Sequence, residues 1–487
     1  MQHLRSSAGD AVTTIPPPLS IAEMGRRLRA GDETPQSLLD ASIARISAFD
    51  PLVGSFLTTT FDRARERAVA ADRALARGID AGPLHGVPYA LKDIFDVAGI
   101  ATTCNSRLML ASLASEDSAL EARLRDAGAV LLGKLATHEF ALGGPSFDLP
   151  FSPARNPWSL EHFTGGSSSG SGAAVAAGLT PLALGSDTSG SIRGPAFHCG
   201  VVGLKPTFGR LSRRGVFPLS YSLDHCGPMT WTVEDAAIAL NVLAGFDPLD
   251  PASIPAPECD FTAGLDLGVE GLRVAYPRAF FAGDPKASPE IVARIDDAAQ
   301  RLAALGAEVR EIALPDFGLF NACGRIIMTA ESYAIHEADI RARPRDYGRY
   351  TYQRIAPGAG LTAADMLQAQ RVRRRLTEQL NSEVFPEYDG MITASSLSTA
   401  PLLSDFPPDW PPTGSTQTIA FSLTGNPALG VPLGLSKAGL PIGLQVVGRL
   451  FDETMVLRLG AALEAAFGPR TRPPLEPWIP KQVQARA

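Results

Sequence analysis

The sequence predicts an α/β fold in one large domain, and three observations carry that expectation. GVPYALKDIFDVAG (86–99) has the apolar and aromatic content of a buried strand, and a helical segment, SALEARLRDAG (118–128), and a second apolar strand, AVLLGKL (129–135), follow it. LRVAYP (272–277) reads as a further strand, ahead of SPEIVARIDDAAQRLAALGAEVREI (288–312), which gives a proline-started helix, a glycine stop and a strand. No internal repeat and no clean linker divides the chain, so the alternating elements share one sheet.

Taken in order, the chain starts with a polar, proline-ended lead-in over residues 1–18, without the continuous apolar core of a signal peptide or membrane anchor. The domain is expected over 19–478 and a short tail over 479–487. Ser20 with Glu23 predicts a capping box over IAEMGRRLRAG. Thr34 followed by Pro35 opens QSLLDASIARISAF, where Leu38, Leu39, Ile43 and Ile46 share a stripe. A third helix, rich in alanine and arginine, is expected over 61–78. Between the strands already named, GAAVAAG predicts a small-residue helix and LTPLALGSDT an apolar run. Near the end, NPALGVPLGLSKAGLPIGLQVVG predicts two strands joined by a turn at Lys437 to Gly439, and DETMVLRLGAALEAAFG a closing helix. The stretch 310–420, with the proline-heavy FPPDWPPTG (406–414), reads as a variable insertion.

Composition excludes several functions. With 44 Lys and Arg against 51 Asp and Glu, the net charge is −7, so no long-range field draws nucleic acid to the chain. The cysteines, Cys104, Cys199, Cys226, Cys259 and Cys323, are odd in number and never form CxxC, against both a disulfide framework and a zinc site. They point to a reduced, cytoplasmic protein.

Chemistry concentrates in two glycine-serine clusters. GGSSSGSG (165–172) has the composition of a flexible linker, yet it leads directly into helical and apolar structure, where a linker would separate two cores. A phosphate cradle is disfavoured because the G-x-x-x-x-G-K-[ST] pattern is absent and the tract holds no Lys or Arg. A nucleophile loop remains. In GSDTSGSIRGP (185–195), Ser191 stands in a tight turn whose glycines let consecutive N–H groups converge on one point, as an oxyanion hole requires.

A serine nucleophile needs a base. The seven histidines, His3, His85, His138, His162, His198, His225 and His336, come with no G-x-S-x-G elbow. Lys92, inside the apolar YALKDI, is the alternative: burial drives an amine toward neutrality, and a neutral amine is a competent base near pH 7. Pairing with Asp93 or Asp96 is its structural reading.

The long motifs GVPYALKDIFDVAGIATTCNS, FTGGSSSGSGAAVAAGLTPLALGSDTSGSIRGPAFHCGVVGLKPTFGRLSRRGV, SLDHCGPM, GNPALGVP and GLPIGLQVVG resemble those of the amidase signature enzymes, in the expected order across most of residues 20–470. The resemblance implies an α/β/α domain with a central mixed β-sheet covered by helices, and a Ser–cis-Ser–Lys triad. Ser191 would be the acyl-forming nucleophile, Ser167 the serine after a cis bond from Gly166, and Lys92 the terminal base. The oxyanion hole would map to the N–H groups of Thr188, Ser189, Gly190 and Ser191. Ser168, Asp187 and Arg193 would support it. Neither a metal nor another cofactor is called for.

The expected substrate is a small-molecule amide or carbamate, with an aryl group favoured by aromatics in the variable segments: Phe320, Tyr333, Tyr352 and Trp410 in the insertion, beside HEFALGGPSFDLPFS (138–152). The expected protein is a stand-alone monomer or homodimer that binds neither nucleic acid nor membrane. Two other readings compete. The glutamine-hydrolysing A-type subunit of a tRNA-dependent amidotransferase shares these motifs, but the sequence offers neither a basic patch nor the C-terminal segment associated with it. A non-catalytic binding protein retaining the fold is opposed by the intact Lys92, Ser167 and Ser191.

Overall fold

Eleven strands form one mixed sheet in the computed structural model, which describes residues 17–142, 144–406 and 415–475. They are β1 (Phe56–Thr59), β2 (Pro88–Lys92), β3 (Val130–Leu135), β4 (Leu182–Asp187), β5 (Val202–Lys205), β6 (His225–Thr230), β7 (Arg273–Tyr276), β8 (Glu308–Glu311), β9 (Gly390–Thr393), β10 (Ala428–Leu435) and β11 (Pro441–Val447). Their spatial order is β1-β3-β2-β4-β6-β5-β10-β11-β9-β7-β8. β2 runs parallel to β3 and β4, and β7 parallel to β8 and β9; the central pairs, β4 with β6, β6 with β5, β5 with β10 and β10 with β11, are antiparallel. This is the expected single α/β domain with helices flanking a mixed sheet.

The sequence pattern explains why both faces are covered. All five residues of β2 are buried, with Tyr89 and Leu91 in one apolar core and Ala90 in the other. β4 divides the same way, Leu182 and Leu184 against Ala183. Successive side chains point to opposite faces, so an unbroken apolar run implies a layer on each side.

Most expected elements form with shifted ends. Thr34 caps the helix Pro35–Val53 in a reciprocal box with Ser37, and its stripe residues Leu38, Leu39 and Ile46 are buried. Ser20 also caps Ile21–Ala30, accepting from Glu23 N at 3.1 Å, but the expected box does not close because the Glu23 carboxylate pairs with Arg26 and Arg27 instead. The strand expected over 86–99 is cut to β2: Ile94 N and Phe95 N donate to Lys92 O, so the chain turns straight after the lysine. The small-residue helix begins earlier than GAAVAAG, at Ser169, inside the glycine-serine tract itself.

The stretch 310–420 carries the helices Phe317–Ala342, Arg349–Ile355 and Ala363–Glu378, and also the sheet strand β9. Residues 1–16, the expected tail over 479–487 and Trp410 lie outside the described residues. Among the described residues no helix is long and apolar enough to cross a membrane. All five cysteines are free, four of them buried and Cys259 exposed.

Candidate active site

Three adjacent strands place the chemistry at one end of the sheet. Lys92 ends β2, Ser186 and Asp187 end β4, and the β4 to β6 register sets Ser186 opposite Cys226 and Asp187 opposite His225. The Gly165–Ser168 turn and the Thr188–Ser191 turn meet above these ends, tied by Ser168 N donating to Ser191 O at 3.3 Å. The peptide bond between Gly166 and Ser167 is cis, as the sequence resemblance implies.

Lys92 is fully buried, and its amine donates to Ser167 Oγ at 2.6 Å and to Ser186 Oγ at 2.8 Å. Burial lowers its pKa to about 7, against the opposing pull of Asp224, Cys226, Asp187 and Cys104. Pairing with Asp93 is not its role, since that carboxylate takes Lys134 Nζ at 2.8 Å. Ser186 escaped the sequence reading. The signal for it was a hydroxyl one residue before Asp187 in an otherwise apolar strand, where burial demands a polar partner. Ser168 grips the same residue: its hydroxyl donates to Ser186 O at 3.2 Å and accepts from Ser186 N at 3.3 Å.

Ser167 and Ser191 both line one cavity of about 850 Å³, and both are more than nine-tenths buried. The Ser191 hydroxyl makes no hydrogen bond among the described residues. Lys92 and Ser167 are therefore joined, while the link from Ser167 to Ser191 is open in this conformation.

Asp187 and Arg193 form a fully buried pair, with Arg193 Nε and Nη2 each 3.0 Å from the carboxylate. Burial alone would push the Asp187 carboxyl up, but the Arg193 charge and hydrogen bonds, with Lys205 and His225, hold it well below the usual carboxylate range. Arg193 continues to Gln445 Oε1 at 2.7 Å and Ser422 Oγ at 2.8 Å. The pair also shapes the turn: Gly190 N donates to Asp187 Oδ1 at 2.7 Å. Gly190 is thus the one expected oxyanion donor whose N–H is occupied by this carboxylate, leaving Thr188, Ser189 and Ser191. Glycine is required there, because φ is +129° and a Cβ would lie 2.0 Å from Thr418 Oγ1.

The cavity wall corrects the expected aromatic contacts. Phe320 is buried in the core, packing on Phe280, and neither Phe320, Tyr333 nor Tyr352 lines the cavity. Phe163, Phe317 and Phe406 line it instead, with His138, Ala141, Leu142 and Gly144 from the expected 138–152 segment. Polar character comes from Lys286, Arg325 and Arg354, against Asp284 and Asp405. Burial lowers the Arg354 pKa to about 10, and the Arg325 charge adds to that shift.

The family model described as Amidase matches residues 37–457. The A subunit of the glutamyl-tRNA(Gln) amidotransferase of Thioalkalivibrio sulfidiphilus (strain HL-EbGR7) is 39% identical over 465 residues, covering 90% of this chain and 95% of that one. Among solved structures, a chain from an unexpected vestigial protein complex that reveals the evolutionary origins of an s-triazine catabolic enzyme superposes with a TM-score of 0.87 at 36% identity, covering 93% of this chain and 99% of that chain. A bacterial aryl acylamidase of the amidase signature enzymes gives a TM-score of 0.84 at 28% identity, covering 92% of this chain and 96% of that chain. Alignment over nearly the full length of the amidotransferase relative removes the missing C-terminal segment as a ground for setting that reading aside.

Proposed function

The chain belongs to the amidase family, and from that premise we propose that it cleaves the C–N bond of an amide through an acyl-enzyme on Ser191, with Ser167 and Lys92 as the proton relay. The observation that carries this reading is the fully buried Lys92 amine, with a pKa near 7, bonded to Ser167 at the floor of the cavity that Ser191 enters. Neutral Lys92 accepts the Ser167 proton as Ser167 accepts that of Ser191, and Ser191 Oγ forms a bond to the carbonyl carbon. The developing oxyanion is held by N–H groups of the Thr188–Ser191 turn, while Gly190 and the Asp187–Arg193 pair keep that turn in shape. As the tetrahedral intermediate collapses, the C–N bond breaks and the amine leaves with the proton returned by the relay. Water then attacks the ester, its proton passing through Ser167 to Lys92, and the relay returns that proton to Ser191 Oγ, which leaves as the restored alcohol.

Glutamine is the amide we favour, with the chain acting as the hydrolysing component of a tRNA-dependent amidotransferase beside partner proteins in the cytoplasm. The amidotransferase relative supports this reading, as do Arg325 and Arg354 in the cavity, which suit the carboxylate of an amino-acid amide. A stand-alone hydrolase of aryl amides or carbamates is the second reading, favoured by Phe163, Phe317 and Phe406 on the wall and by the likeness to the aryl acylamidase. A hydrolysis panel of glutamine, aryl anilides and aryl carbamates decides between them, with Ser191→Ala as the blank. Glutamine turnover that falls at least about 10⁴-fold in Ser191→Ala is the expected result. Turnover of anilides or carbamates without glutamine would install the second reading, and activity unchanged by Ser191→Ala would remove both.

A further inference from the structure

Asp224 stands immediately before β6, where the Leu219–Asp224 loop folds back toward the end of β4. Its carboxylate has three donors. Thr188 Oγ1 donates to Oδ1 at 2.6 Å, and Leu219 N and Ser220 N donate to Oδ2 at 2.8 and 3.0 Å. These three hydrogen bonds favour the ionised form of Asp224. Asp224 and Ser186 also line a shared second cavity of about 330 Å³, and Ser186 Oγ accepts from Lys92. The residue therefore touches the oxyanion turn on one side and the surroundings of the base on the other.

Building on the acyl-enzyme reading above, we propose that Asp224 is a positioning residue for the reaction: its carboxylate pins Thr188 in the oxyanion turn and sets a negative charge on the Lys92 side of the site. Four titratable groups act on Lys92: Asp224 from just before β6 and Cys226 from its start, Asp187 from β4, and Cys104 from the loop after β2. Burial pushes both thiols up, so they stay neutral, and Asp187 is committed to Arg193. Asp224 supplies the largest charge effect opposing the burial of Lys92. Burial raises the Asp224 pKa, and the hydrogen bonds from Thr188, Ser220 and Leu219, with the Arg213 charge, oppose that rise; Arg213 Nη1 also donates to the Asp224 carbonyl at 3.3 Å.

Two separable effects follow. Loss of the Asp224 charge moves Lys92 further toward the neutral form, so the pH at which the base becomes competent falls. Loss of the grip on Thr188 loosens the oxyanion turn and slows the reaction at every pH.

A fluorophosphonate probe reads both effects, since Ser191 Oγ forms the bond to phosphorus, fluoride leaves, and the serine proton passes through Ser167 to Lys92. Asp224→Asn should label about tenfold more slowly, with the midpoint of its pH profile about one unit below wild type. Thr188→Val, which keeps the charge, should slow labelling with the midpoint in place, and Asp224→Glu should return the midpoint toward wild type. An Asp224→Asn protein with the wild-type rate and midpoint overturns the proposal. Should that variant not fold, equal rates for Thr188→Val, Thr188→Ser and wild type would overturn it. A wild-type protein unlabelled at Ser191 at any pH sinks the acyl-enzyme reading itself, which is a different failure.

Discussion

The turns carried by the strand ends at Lys92, Ser186 and Asp187 and the helical wall of the 310–420 stretch border the same cavity, yet they are built on different principles. At the strand ends, backbone fixes position: β2 and β4 are buried on both faces, and each polar group is met by a named partner, Lys92 by two serines and Asp187 by Arg193 and Gly190 N. On the wall, side chains projecting from helices decide what the cavity presents. Phe317 of the long helix Phe317–Ala342 lines it, while Phe320, three residues later, is buried against Phe280. Chemistry is thus placed by the sheet, and the lining of the wall by which side of each helix faces the cavity, together with loop residues such as Phe163 and Phe406.

The sharpest way to break this contrast is to remove a partner from the strand end. Asp187→Asn would leave Arg193 fully buried without its counter-charge and weaken the bond that shapes the Gly190 turn. Breaking a buried pair on one side costs about 3–5 kcal/mol. Urea unfolding should show a loss in that range; a loss under about 1 kcal/mol would mean that the remaining bonds to Gln445 and Ser422 hold the turn without Asp187.

These two kinds of construction also decide what was legible in the sequence. GSDTSGSIRGP and GGSSSGSG announced the turns because glycine and serine in that density have few uses, and Lys92 stood out as a charge in an apolar strand. Asp187 and Arg193, six residues apart, were legible only through the family resemblance. What stayed hidden depends on three-dimensional phase. Ser186 sits in the quoted motif, but only the β4 register turns its hydroxyl toward Lys92. Gly190 looked like one more oxyanion donor until the fold brought Asp187 to its N–H. Tyr333 and Tyr352 were named for being aromatic in a variable segment, a property that says nothing about which side of a helix faces the cavity.

A second test stays at the strand end and concerns pH. Burial lowers Lys92 to about 7, and only the neutral amine accepts a proton from Ser167. Since protonation removes the base, kcat/KM should rise through a midpoint near pH 7 and fall about tenfold for each unit of pH below the limb. His198, which also lines the cavity, would give a different limb, because burial pushes it down to about 4. An acid limb centred near 4 would move the base from Lys92 to such a group.

The smallest effect belongs to the wall, and it asks whether lining position, rather than aromatic character, governs selectivity. Phe406 lines the cavity with its ring 4.8 Å from that of Phe163, whereas Tyr352 is 38% exposed and outside the lining. An aromatic contact of this kind is worth about 0.5–1.5 kcal/mol beyond its buried area. Phe406→Ala should therefore raise KM for an accepted aryl amide by roughly 2- to 10-fold with kcat little changed, the pattern of lost uniform binding. Tyr352→Ala should leave KM within about twofold of wild type, in keeping with surface substitutions generally. If the two variants behaved alike, lining position would not be what separates them. A fall in kcat for Phe406→Ala would go further, because it would mean that the wall helps to position the turns as well as the substrate.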